Sequence, residues 1–201
     1  MESKVYITAY SEPEIDKKEI FRYASVKESD EITEALLDRL INECRPRLSY
    51  RVCYAEYPMV LEGDRVDLGF GKAVSHSLAR CLDGCDGVIV FCATIGAELD
   101  RLIKRYSITS PASAVLLQAI GSERVEALCD AFCEDMAESV GADRVLRPRF
   151  SPGYGDLSLK VQKDIFSALD PTRRMGVNLN DELFMTPTKS VTAIIGVKRK
   201  G

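Results

Sequence analysis

The sequence predicts an α+β domain: a twisted, mainly antiparallel sheet with flanking helices. Helical and extended segments are mixed along the chain without the regular β-α alternation of a doubly wound parallel sheet. Gly87–Thr94 is apolar at consecutive positions, as a strand covered on both faces should be. Residues 190–197 are rich in branched side chains, which suit a pleated surface, and give the sheet a second firm strand.

Taken in order, residues 4–10 alternate weakly and read as a short strand or an arm. Residues 15–23 and 30–47 turn helical. In the second segment Ile32, Leu36, Leu37, Leu40 and Ile41 recur at three- and four-residue steps, while Glu34, Asp38, Arg39 and Glu43 fall on other faces. Ser29 or Asp30 supplies the N-cap, and Pro46 marks the helix end. These segments make residues 1–48 a helical N-terminal subregion of a chain that reads as one domain over 1–201. Residues 49–61 then alternate as a single strand, and Gly63-Asp64 turns the chain into a hairpin return at Val66-Asp67-Leu68. A short helix is expected over 75–82. Beyond Gly87–Thr94, helices follow over 97–106 and 110–140. The longer one buries Leu116, Leu117, Ile120, Val125, Leu128, Phe132 and Met136, with a bend or restart expected at Gly121-Ser122. A helix over 157–169 stops at Asp170-Pro171, and short strands are expected at 177–179 and 183–186.

Composition excludes several function classes. The net charge is −4 and the basic residues form no stripe beyond the short Lys198-Arg199-Lys200 tail, which argues against nucleic acid as a partner. No apolar run reaches the length of a membrane span, and the N-terminus lacks the apolar core of a signal peptide, so a cytoplasmic location is expected. Seven cysteines in such a chain read as reduced thiols. Cys81/Cys85 and Cys129/Cys133 share a spacing of four. The second pair lies in an amphipathic helix where cysteine acts as a small hydrophobe, and no metal site is expected. His76 is the one histidine, no G-x-S-x-G elbow presents a serine, and Thr94-Ile95-Gly96 has too few glycines for a phosphate loop.

One stretch stands apart: Arg147-Pro148-Arg149-Phe150-Ser151-Pro152-Gly153-Tyr154-Gly155-Asp156. Arginine offers a rigid fork of donors for a carboxylate or phosphate, and glycines beside a proline let backbone approach a ligand closely. The same residues also suit an ordinary strand-to-helix turn with solvated arginines.

Arg149-x-x-Pro152-Gly153-Tyr154, followed after a helix by Met185-Thr186-Pro187-x-x-Ser190-Val191-Thr192, resembles the activation domain of cobalamin-dependent methionine synthase. In that family the patterns run Arg-Pro-x-Pro-Gly-Tyr and Met-x-Pro-x-x-Ser-Val-Ser. The segment Leu128-Cys129-Asp130-Ala131-Phe132-Cys133-Glu134 is similar to the helix that precedes the first pattern.

The resemblance, clearest from about residue 116 to 197, implies a methionine synthase activation-domain fold that binds S-adenosylmethionine and supports reductive methylation of cob(II)alamin. It assigns cofactor contacts to Arg149, Ser151, Pro152, Gly153, Tyr154, Gly155, Asp156 and Ser190. Arg149 would hold the methionine carboxylate, and Tyr154, the catalytic position, would face the corrin. The chain has no Asp-x-His-x-x-Gly cobalamin loop. The implied partners are therefore a corrinoid-binding methionine synthase lacking its own activation domain and a flavodoxin-like electron donor. The alternative is a docking or small-molecule-binding module that has lost S-adenosylmethionine. Three family features have no counterpart here. Gly155-Asp156-Leu157-Ser158 replaces a small-Cys-Pro pattern, no tyrosine pair follows Thr192, and the aspartate that holds the ligand's amino group is not evident in the N-terminal segment.

Overall fold

The computed structural model describes residues 3–200. The chain opens with β1 (Tyr6–Ala9), α1 (Lys17–Tyr23), α2 (Glu31–Cys44), a 3₁₀ turn at Arg45–Arg47 and β2 (Arg51–Pro58). Three short strands follow, β3 (Val60–Glu62), β4 (Arg65–Asp67) and β5 (Lys72–Val74), and then α3 (His76–Cys81) and β6 (Gly87–Thr94). Next come α4 (Glu98–Thr109), α5 (Pro111–Ser139), β7 (Arg144–Leu146), α6 (Val161–Leu169) and α7 (Pro171–Met175). The two-residue strands β8 (Asn178–Leu179) and β9 (Met185–Thr186) precede β10 (Ser190–Arg199).

Five strands form the central sheet in the order β1-β2-β6-β10-β7, and every neighbouring pair is antiparallel. The apolar run read as a covered strand is its middle: β6 pairs along its whole length with β2 on one side and β10 on the other. Its alternation feeds two cores. Ile89, Phe91 and Ala93 pack with α1, α2, α4 and α5, while Val88, Val90 and Cys92 pack with α3, α6 and the small β3-β4-β5 sheet. Burying each of Val88, Ile89, Val90 and Phe91 contributes on the order of 1.5–3 kcal/mol, so two-sided burial makes this strand the stability centre.

Four local expectations change. The strand over 49–61 breaks at Met59: the pairing with β6 ends at Pro58 opposite Gly87, where β6 itself begins, and β3 pairs with β4 instead of with the central sheet. The third hairpin strand, β5, is new. Helix α5 runs unbroken for 29 residues through Gly121. A Cβ at Gly121 would meet Leu99 Cδ2 at 2.5 Å and Lys189 Cε at 2.8 Å, so the glycine admits a close neighbour and is no hinge. The helix expected over 157–169 starts only at Val161, since residues 151–160 form turns. Pro171, which ends α6, is also the first residue of α7, where its missing N–H costs nothing.

The N-terminal segment is fastened to α5 by a buried ion pair. Arg124 and Glu123 are 1% and 5% exposed. Arg124 donates to Glu123, to Pro13 O at 2.6 Å and to Glu14 O, and Glu123 accepts from Asp16 N at 3.0 Å. Among the described residues no helix is long and apolar enough to cross a membrane.

Arg124→Leu should lower unfolding stability by about 3–5 kcal/mol in urea titration, because it strands Glu123 uncompensated. The double variant Arg124→Leu/Glu123→Leu should recover part of that loss.

Candidate functional site

After β7 the chain stays beside β10. Arg147 N donates to Gly196 O at 2.8 Å, and Phe150 and Ile194 exchange two backbone hydrogen bonds of 2.8 and 2.9 Å. The chain then folds into a tight turn, with Tyr154 N on Ser151 O (3.1 Å) and Gly153 N on Leu157 O (2.9 Å). Gly153 (φ +93°) and Gly155 (φ +55°) occupy the left-handed region that other residues avoid. A Cβ at Gly155 would lie 2.7 Å from Ser77 Oγ, so the loop presses against the start of α3. Tyr154 tops the loop, 64% exposed.

Two adjoining clefts open beside this loop. The larger, about 670 Å³, is lined by Cys133, Arg147, Arg149, Phe150, Gly155 and neighbouring residues. The narrower, about 300 Å³, is lined by Pro152, Gly153, Gln162, Met185, Ser190 and Thr192. Glu126, Ser151, Tyr154 and Val191 line both. The two sequence motifs, on either side of α6, therefore meet at one place. A third cleft of about 590 Å³ lies between the segment after Pro13 and α5, on the other side of Arg149, and is dominated by carboxylates. A hollow of about 570 Å³ on the β3-β4-β5 sheet sits apart from these and carries both signs of charge.

Each sequence-expected residue has a definite place. Arg149, Ser151, Pro152, Gly153, Tyr154, Gly155 and Ser190 all line the paired clefts. Arg149 is 25% exposed by its side chain, and its fork is engaged: one arm reaches Glu126 Oε2 at 2.6 Å and the other Asp130. Those carboxylates lie one turn apart on α5 and so share a face. Burial works against the Arg149 charge, but the hydrogen bonds to Asp130 and Glu126 outweigh it and hold its pKa above the usual arginine value. Ser190 Oγ donates to Pro187 O at 2.8 Å and lies 2.9 Å from Thr94 Oγ1, which ties β10 to the end of β6. Asp156 turns away from the clefts and caps α3, accepting from Ser75 Oγ, His76 N (2.8 Å) and Ser77 N (3.1 Å). The hydrogen bond from Ser75, with those from Ser77 and His76, holds its carboxyl well below the usual carboxylate range.

Glu126, Asp130, Cys133 and Gln162 are not among the sequence-expected site residues, and Thr192 is there only as the end of the second motif. The Glu126/Asp130 spacing beside a predicted arginine motif was a usable signal; Gln162 and Cys133 offered none. Four buried side-chain atoms among the described residues have no hydrogen-bond partner: Tyr50 Oη, which lies outside the clefts, and Arg147 Nε, Gln162 Oε1 and Thr192 Oγ1, whose residues line the paired clefts. Among the described residues no group of three or more His, Cys, Asp or Glu side chains could hold a metal ion. All seven cysteines are free thiols, with Cys129 buried and Cys81, Cys85 and Cys133 partly so.

The architecture is thus an α+β fold whose curled antiparallel sheet is flanked by helices, with a loop-walled cleft beside its fourth strand in spatial order. It matches a solved structure, the crystal structure of the MetH reactivation domain bound to AdoHcy, with a TM-score of 0.69. The match covers 98% of this chain and 79% of that one at 14% sequence identity, and it establishes the fold. No protein-family model matches the sequence, and no curated protein matches it either.

Because the Asp156 pKa is depressed on folding, the unfolded chain binds its proton more readily. Its contribution to stability is therefore present above the unfolded value of about 3.9 and is lost as pH falls through the lower folded value. Asp156→Asn should lower Tm at neutral pH and flatten the acid limb of a Tm-against-pH series below about pH 4. An acid limb identical to the wild type's would contradict this assignment.

Proposed function

We propose that the paired clefts bind S-adenosylmethionine and that the protein, acting as one domain over 1–201, is a reactivation partner of a cobalamin-dependent methionine synthase in the cytoplasm. The observation that carries this is the meeting of Arg149–Tyr154 with Met185–Thr192 across two adjoining clefts, on a fold shared with a reactivation domain solved with AdoHcy. The residues suit a sulfonium ligand. Glu126 lines both clefts and offers negative charge to a positive centre, and the volumes fall in the range of about 300–1,000 Å³ usual for small-molecule sites.

In this reading Arg149 takes the ligand's carboxylate by exchanging it for Asp130, whose side chain is the more exposed of its two partners. The guanidinium keeps two carboxylate partners, and the exposed Asp130 carboxylate is released to water. The Pro152-Gly153 turn lines the ligand with backbone. Tyr154 offers an exposed aromatic face at the cleft mouth, where a flat macrocycle can dock. A corrinoid carried by a synthase that lacks this domain supplies the reduced cobalt that accepts the methyl group, with the electron coming from a flavodoxin-like donor. Since the sulfonium methyl is already activated, the chain's task is position, which needs neither acid nor base.

A second reading, a corrinoid-protein docking module without the ligand, is favoured by one feature: Arg149 is already satisfied by Glu126 and Asp130.

Isothermal titration separates the two. Wild type should bind S-adenosylmethionine and S-adenosylhomocysteine, and Arg149→Ala should weaken both by roughly ten- to hundredfold, the loss of a charge-assisted contact. No heat at millimolar ligand would favour the docking module. Equal heat in the variant would remove Arg149 from the site.

A further inference from the structure

We infer that Gln162 and Thr192 form the polar floor of the narrower cleft, and that this floor reads the edge of a planar, amino-bearing heterocycle: the base of a nucleoside without phosphate. The inference rests on the ligand reading above, whose adenosine end it locates.

Gln162 stands in the first turn of α6 and is 6% exposed; Thr192 stands on β10 and is 2% exposed. Their Oε1 and Oγ1 atoms have no partner, although both side chains line the cleft. A buried polar atom left unpaired costs folding free energy. Nothing in the packing requires the polarity here: Val161, Ile165 and Leu169 on α6, and Ala193 to Ile195 on β10, are all buried apolar residues. Leucine at 162 and valine at 192 would fill similar volumes without stranding an atom. Two polar groups held against stability in the lining of one cleft point to a ligand that completes them.

The cleft's chemistry narrows the class. Its walls include Pro152, Tyr154, Met185 and Val191, flat or soft surfaces that suit an aromatic ring. Its volume of about 300 Å³ is at the small end for ligand sites, enough for a base with its sugar. Glutamine carries an acceptor and donors on one amide, the combination that reads the edge of adenine, and threonine adds a hydroxyl that donates or accepts. Among the described residues lining this cleft Glu126 is the one ionised group, and no lysine or arginine is present. The lining thus offers a phosphate no cation of its own, and its one carboxylate is the partner of Arg149. The base reaches the floor by rotation of side chains, with exposed Tyr154 swinging aside.

The full-length chain tests this with Gln162→Leu, Thr192→Val and the conservative Thr192→Ser, titrated with adenosine, adenosine monophosphate and S-adenosylhomocysteine. Without ligand, the leucine and valine variants should melt about 2–4 °C above wild type. Each should bind adenosine and S-adenosylhomocysteine about tenfold more weakly, while Thr192→Ser keeps its affinity. A lower Tm in both variants would mean that the atoms serve the fold, and unchanged affinities would mean that they miss the ligand; either overturns the floor. Binding of S-adenosylhomocysteine equal in wild type and variants sinks the floor and leaves the reactivation reading standing. Floor-dependent binding of adenosine without S-adenosylhomocysteine does the reverse. Silence toward all three ligands sinks both, and monophosphate binding as tight as adenosine refutes the exclusion of phosphate.

Discussion

Helix α5 holds two guanidinium groups, one its own and one from a distant loop, and the rest of the molecule is arranged around them. Glu123 and Arg124 gather the segment from Pro13 to Asp16 by hydrogen bonds to its backbone. Within the next two turns of helix, Glu126 and Asp130 seize Arg149 from the loop after β7. Charge-assisted hydrogen bonds of this kind are the strong ones, and out of water they are directional as well. The same helix lays Leu117, Ile120, Leu128 and Phe132 on the sheet. One element therefore fixes the N-terminal segment and the motif loop relative to a single apolar surface.

The sheet supplies the other half of the frame. β10 is part of both cores through Ile194 on one side and Ala193 and Ile195 on the other, while its first residues, Ser190 to Thr192, line the narrower cleft. Side chains on a strand locked from both faces are placed with little slack, which a binding site needs more than it needs chemical power. Ser190, joined to Thr94 and Pro187, shows how the wall is set: its hydroxyl is used up inside, and its neighbours are left to face the cleft.

Much of this was written in local pattern. The unbroken apolar run of β6, the three- and four-residue rhythm of α2 and α5, and the Asp30 cap all act over a few residues, so periodicity and capping chemistry disclosed them. The motif loop was legible as a turn, because glycines beside a proline favour one, and Gly153 and Gly155 do take positive φ. What escaped depends on partners far off in the chain. Arg149 meets carboxylates 19 and 23 residues earlier, and Asp156 caps a helix that begins some 80 residues before it. Gly121 looked like a bend because the close approach of Leu99 is invisible until α4 is packed. Gln162 looked like any surface glutamine, since only tertiary burial makes its amide unusual.

The loop that walls the clefts is stitched into the sheet at Phe150 and closed on itself at Gly153 and Leu157. Its two ends are thus tied down, which limits how far it can draw across whatever lies beside it. A site built this way is a bench, open on one side, and it excludes water only as far as a second surface covers it. Tyr154 therefore stays wet in the folded chain alone, and only a second surface laid over the loop would dry it.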